Sequence, residues 1–336
     1  MPTSANKKNN PGFFGRLLRS LLSITILTAL VLGIAYSVKQ LSTLSPQKLV
    51  RVSTPLLDKL GVDSDKVQKL GEVAGVLIEK TSENTPETTE DTKDAKVAFT
   101  VAIMSDAEND TESFAQALKQ AKEKKVEAVF YLGDFTNWGD EKSLQTMKDI
   151  LDDSDLIYYA IPGDHDLAAS VKDGDQSGLL YFKKVFGNNF HSIMINSKKF
   201  VMLDNSANFT TISVDLMDWF KTEADSADFV MLSQPLYHPI IKLVMGTANG
   251  EEVPNVKAQA DDLLQAIRQS DTKAIIAADQ HTFSKNTDPE KPTLQHIVTG
   301  ALVKNDGELR NPQTPRFTLL EIYDNDTFKV KEIVLD

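Results

Sequence analysis

Three stretches decide the fold: residues 97–108 read VAFTVAIMSDAE, residues 126–139 read VEAVFYLGDFTNWG, and residues 156–166 read LIYYAIPGDHD. Each opens on an apolar run long enough for a buried strand and ends in a turn residue beside an acid. Between them, residues 112–124 and 142–151 place apolar residues at helical spacing. Strand–helix–strand–helix–strand predicts an α/β fold with parallel strands covered on both faces. Ligands of such sheets collect at the carboxyl ends of the strands. There the three stretches deliver Asp106, Asp134 and Asp164. One Asp at a strand end is a common turn former or helix cap. Three in register repel one another unless protonated or neutralised, and a bound divalent cation is the simplest reason for the arrangement.

The same residues carry a family resemblance. Ser105-Asp106-Ala107-Glu108, Gly133-Asp134-Phe135-Thr136-Asn137 and Gly163-Asp164-His165-Asp166 resemble, in order, the D-x-H, G-D-x-x-[ND] and G-N-H-[DE] blocks of the calcineurin-like metallophosphoesterases. Downstream, FVMLD at 200–204 resembles the family's central strand and Trp219-Phe220 its Trp-Leu helix. FVMLSQPLYHP at 229–239 is similar to the strand that runs into a His-Pro loop, AADQH at 277–281 stands at the G-H-x-H block, and residues 317–335 resemble the closing strand pair. The resemblance implies an α/β sandwich of two mixed sheets flanked by helices, with divalent metals that promote attack on phosphorus. By position it implies Asp106, Glu108, Asp134 and His281 at a first metal, and Asp164, Ser233 and Asp279 at a second, with Asp134 bridging. His165 would stabilise the transition state or protonate the leaving oxygen, oriented by Asp166.

Several positions depart from the family pattern. Glu108 and Asp279 stand where histidines are usual, Asp164 where asparagine is usual, and Ser233-Gln234-Pro235 replaces the block that offers a histidine ahead of His-Pro. The donors that remain are mostly carboxylate oxygens, which suit manganese, magnesium or calcium better than zinc at the one or two cation positions. Two function classes follow. One is a metal-dependent phosphoesterase acting on a phosphomono- or diester. The other is a catalytically weakened relative that serves as a metal-stabilised binding module. His238 is either a displaced ligand or a loop residue facing solvent. His191 and His296 read as structural, and Trp138 as cover for the core.

The rest of the chain sets the surroundings. Among 336 residues there is no cysteine, which excludes a disulfide framework, thiolate-held metals and a cysteine nucleophile. The net charge is −12, and residues 1–39 hold five bases and no acid, which leaves −17 on residues 40–336. A body so acidic is repelled by a phosphate backbone, so nucleic acid is not an expected partner. A small phosphoester or a phosphorylated surface molecule is. Residues 81–95 (TSENTPETTEDTKDA) have linker composition, and residues 39–80 show helical spacing suited to a stalk. The phosphoesterase domain is expected over 96–336.

Residues 20–38 carry no charge and follow a basic stretch, 1–19, that contains Lys7, Lys8, Arg16 and Arg19. Their length suits a single membrane-spanning helix, and the basic flank places the N-terminus in the cytoplasm and the body outside the cell membrane. A cleaved signal peptide, with small residues at Ala35-Tyr36-Ser37, is the competing reading, and a buried core helix is the third. Protease added to intact cells is expected to degrade the body and spare residues 1–19; full protection would rule this topology out.

Overall fold

Side-chain alternation along β1 (Val97–Met104) sorts the core. Val101 and Ile103 point to one face, Ala102 and Met104 to the other, and all four are fully buried. Successive residues of a strand face opposite sides, so both faces of this sheet need a cover. β2 (Val129–Tyr131) and β3 (Tyr158–Ala160) extend it with parallel pairing on one side. β12 (Arg316–Tyr323) and β13 (Phe328–Val334) close it with antiparallel pairing on the other. The computed structural model describes residues 95–248, 251–304 and 314–335. The expected anchor and stalk, and nearly all of the linker, lie outside the described residues. Among the described residues no helix is long and apolar enough to cross a membrane.

A second mixed sheet faces the first. It is built from β4 (His191–Ile195), β5 (Lys198–Leu203), β6 (Phe229–Leu232), β9 (Ala274–Ala277), β10 (Ser284–Thr287) and β11 (Gln295–Val298), in the order β10-β11-β9-β6-β5-β4. Phe130, Phe200 and Phe229 stack between the sheets with centroid spacings of 5.0 and 5.2 Å. Helices α1 (Thr111–Glu123) and α2 (Glu141–Asp153) cover the outer face of the first sheet. Two short helices, α3 (Ala168–Lys172) and α4 (Leu180–Phe186), follow β3. Helices α5 (Val214–Ala224) and α6 (Pro254–Gln269) cover the second sheet. A two-stranded ribbon, β7 (Thr247–Ala248) with β8 (Glu251–Glu252), precedes α6. This is the α/β sandwich with two mixed sheets that the resemblance implies. β2 starts later than the apolar run at 126–132, because Val126 still donates its N–H to Ala121 at the end of α1.

The loops that leave β1, β2 and β3 are bonded into one body. Asp106, Glu108 and Asn109 donate their N–H groups to the carbonyls of Gly133, Asp134 and Phe135, each at 3.0 Å. Gly133 has φ +104°, and a Cβ there would lie 2.5 Å from the nitrogen of Gly163. A Cβ on Gly163 would lie 2.1 Å from Asp134 Oδ1. The buried carboxylate of Asp166 then accepts from Phe135 N and Gly163 N at 3.1 Å, Thr136 N at 3.0 Å and Thr136 Oγ1 at 3.1 Å. Gly163→Ala is expected to cost at least about 2 kcal/mol, measured as a lowered thermal midpoint, because the atoms it meets are backbone and a buried carboxylate that cannot move aside.

Candidate metal centre

The residues at the strand ends hold a strained backbone. Asp106 (φ 54°), Glu108 (φ 45°), Asp134 (φ 54°), Asp279 (φ 69°) and His281 (φ 54°) all lie in the left-handed region. Non-glycine residues visit it rarely, at about 1–3 kcal/mol each, and clusters of such residues mark functional sites. The turns aim their side chains inward at the ends of β1, β2 and β9.

Two sets of donors meet around Asp134. In the first, His281 Nε2 lies 3.1 Å from Glu108 Oε1 and 3.4 Å from Asp106 Oδ1. In the second, carboxylate oxygens of Asp134 and Asp164 lie within 4.8 Å of each other and of a ring nitrogen of His165, which stands beside the donors. Burial raises the Asp134 carboxyl well above the usual range, and the charges of Asp164, Asp106, Asp166 and Asp279 raise it further. Asp106, Asp164 and Asp279 therefore all act on Asp134, which stands at the middle of the set. Asp106 Oδ1 and Asp164 Oδ1 are buried and accept no hydrogen bond, a state that costs about 1–3 kcal/mol or more for each group. A hard divalent cation satisfies all of these conditions at once: oxygen donors, unspent lone pairs and uncompensated negative charge. The residues fit such a cation.

Each remaining expected residue has a definite place. His165 donates its backbone N–H to Asp134 Oδ1 at 3.0 Å, and its ring Nδ1 lies 3.2 Å from the Asn137 carbonyl. Asp166 does not orient that ring as expected, because both its oxygens are taken by the loop amides and Thr136. Burial lifts its carboxyl to about 6 against those hydrogen bonds. Ser233 gives its hydroxyl hydrogen to Asn205 Oδ1 at 3.0 Å, joining a side-chain staple rather than the carboxylate cluster. Asn205, Asn208 and Gln234 were not expected, and they form a chain that ends at the centre. Gln234 Nε2 donates to Asn208 Oδ1, and Asn208 Nδ2 donates to Asp164 Oδ2, both at 2.6 Å. The only sequence signal for them is amide side chains just past β5 and β6. Trp138 is 49% exposed, with Lys172 Nζ 5.7 Å above its ring, and so does not cover the core.

The other histidines are structural. His191 Nε2 reaches the Ala160 carbonyl at 2.9 Å, and His296 Nε2 reaches Asp288 Oδ2 at 2.8 Å. His238 is neither a solvent-facing loop residue nor aimed at the carboxylates. Its Nδ1 accepts from the N–H groups of Ile240 and Ile241, so the neutral ring carries its proton on Nε2, 3.1 Å from Ser284 Oγ. Burial, with His296 nearby, lowers it to about 4.

A family model described as calcineurin-like phosphoesterase matches residues 99–283. The chain belongs to this family. Among solved structures, a dimetal phosphatase from Danio rerio is similar, with 13% identity over 72% of this chain and 100% of that one at a TM-score of 0.50. A purple acid phosphatase from yellow lupin (Lupinus luteus) seeds is 11% identical over 70% of this chain, at a TM-score of 0.52. The alignment spans 51% of the lupin enzyme's length. At these identities the likeness is one of fold. No curated protein sequence matches the chain. Calcineurin-like phosphoesterases use divalent metal ions, and the carboxylate cluster of this member lies where the family's blocks converge.

The His238 ring supplies a test of the loop it holds. An imidazole lowered from about 6.5 to about 4 by folding stabilises the native state above the unfolded value, and that share is lost as pH falls towards 4. The stability advantage of the wild type over His238→Gln is expected to be constant above pH 7 and to shrink between pH 6.5 and 4, followed by denaturant unfolding at each pH.

Proposed function

We propose that this calcineurin-like phosphoesterase hydrolyses a phosphomono- or diester at a carboxylate-rich centre holding one or two hard cations, manganese, magnesium or calcium in preference to zinc. The observation that carries the reading is Asp134: a buried carboxylate raised by burial and by four neighbouring acids, on a strained left-handed turn. Asp106, Glu108 and His281 would hold one cation, Asp164 and Asp279 the other, and Asp134 both. Bound there, divalent cations supply Lewis-acid polarisation of the phosphoryl group and neutralise the charge that builds up on it.

The chain's own residues do the rest. Asp134 fixes the His165 main chain through its Oδ1, and the Asn137 carbonyl holds Nδ1 as a donor. In the doubly protonated ring, Nε2 carries the proton that goes to the leaving oxygen. Asp166 keeps the two loops in register so that His165 and Asp134 hold their separation. The uncharged, largely apolar segment at 20–38 behind a basic N-terminus supports a body tethered outside the cell membrane, where the substrate is a small phosphoester or a phosphorylated surface molecule.

The test is turnover of a generic aryl phosphate mono- or diester against added metal. Manganese, magnesium or calcium is expected to raise the thermal midpoint more than zinc, with about 2.7 kcal/mol of stabilisation at a hundredfold excess over the dissociation constant. Asp134→Ala is expected to abolish turnover. His165→Ala is expected to lower it by roughly 10²–10⁴ while metal binding persists. A wild type that binds metal yet turns over neither ester would defeat the hydrolase reading in favour of a metal-stabilised binding module.

A further inference from the structure

Two loops that border the centre are almost free of charge. The loop after β5, residues 204–213, contains one acid, Asp204, buried and bonded to Asn189 and Ser206, and the loop after β6, residues 233–246, contains no Asp or Glu and one Lys, Lys242, in a body that carries −17. Side chains bind them to each other. Asn205 Oδ1 accepts from the N–H groups of Ser233 at 2.9 Å and Gln234 at 3.0 Å, and Asn205 Nδ2 donates to the Gln234 carbonyl at 2.9 Å. Both are also bound to the centre. Asn208 reaches Asp164, and Gln280, between Asp279 and His281, donates its Nε2 hydrogen to the Leu243 carbonyl at 2.6 Å.

On these loops three large apolar side chains stand in water. Phe209, next to Asn208, is 62% exposed, Ile240 is 59% exposed and Leu243 is 42% exposed. The core does not account for them, because the same loops already bury Leu236 and Met245. Avoidance of like charge near an anionic substrate explains the missing acids but not the exposed hydrocarbon. Lys242 lies among Ile240, Ile241 and Leu243. That is the pattern of a side chain that lays its stem along apolar surface and holds its ammonium at the level of anionic head groups.

We propose that this apolar rim receives the hydrocarbon chain of an amphiphilic phosphoester, so that the substrate is a lipid-borne phosphate presented at a membrane surface. The assignment rests on the phosphoesterase reading and narrows it to one substrate class. The phosphate reaches the carboxylate-held cations while the chain stays against Phe209, Ile240 and Leu243. A tether at 20–38 would hold the body at that same surface.

Because the chain has no cysteine, single labels can be placed without background. Full-length protein in lipid nanodiscs, carrying a fluorophore on Phe209→Cys, Leu243→Cys or, as a control at the amino end of β3, on the exposed Ile157→Cys, is mixed with lipids bearing nitroxides on their acyl chains. Strong quenching is expected at 209 and 243 and little at 157. In parallel, the unlabelled wild type is expected to hydrolyse sixteen-carbon phosphatidate in the disc with kcat/KM at least about tenfold above that for soluble dibutyryl phosphatidate. Labels at 209 and 243 that are unquenched, or already shielded by another segment of the chain, overturn the rim assignment. Equal turnover of the two phosphatidates overturns the substrate class and leaves the phosphoesterase standing. Quenching without turnover of either phosphatidate or of the aryl phosphate overturns the substrate assignment together with the hydrolase reading, and leaves a lipid-contacting binding module.

Discussion

The loops that leave β2 and β3 touch backbone to backbone, and the rest of the site depends on that contact. Gly133 and Gly163 approach more closely than any side chain would allow, and the Asp166 carboxylate ties the same two loops with four hydrogen bonds. Hydrogen bonds to a charged group contribute about 1.5–3 kcal/mol each in favourable cases, so this knot withstands the repulsion it encloses. It also sets the distance from Asp134 to His165, because the backbone of one is bonded to the side chain of the other. Asp166 thus serves the chemistry without touching the ring it was expected to orient.

The acids buried at Asp134 and at Asp288 have opposite solutions. Burial penalises Asp288 as well, but Arg268 and His296 bind it so well that its carboxyl falls to about 2. That cluster is complete within the protein. Around Asp134 the neighbours are other carboxylates, and the carboxyl rises instead. Strained turns, lone pairs without hydrogen bonds and unbalanced charge are each costly, and a fold that keeps all three together points to a cation as the missing partner. Carboxylates in place of imidazoles change which cation fits and weaken the pull on an anionic substrate. The loops after β5 and β6, with one buried acid and one lysine between them, limit that second loss.

Much of the fold was legible in local pattern. The apolar runs before Asp106, Asp134 and Asp164, with helical spacing in the two intervals between them, predicted parallel strands with acids at their carboxyl ends, and hydrophobic periodicity needs only neighbours in sequence to be read. The short strands β4, β10 and β11 were not read, since four or five residues with mixed polarity acquire their pairing from strands far away in the chain. Trp138 was misread because its motif predicts a place in the chain and not which way the ring turns.

The sequence by itself determined the strand-end carboxylates, their order and the oxygen-rich donor set, because residue type and spacing along a strand settle which groups arrive at one end of a sheet. Only the tertiary structure decided what each group does there. That Asp166 staples loops, that Asn137 holds His165, that Asn208 and Gln234 reach Asp164, and that His238 caps its own loop are contacts between segments distant in sequence. Their partners are chosen by the packing of two sheets, and no local pattern encodes which hydrogen bonds that packing leaves within reach.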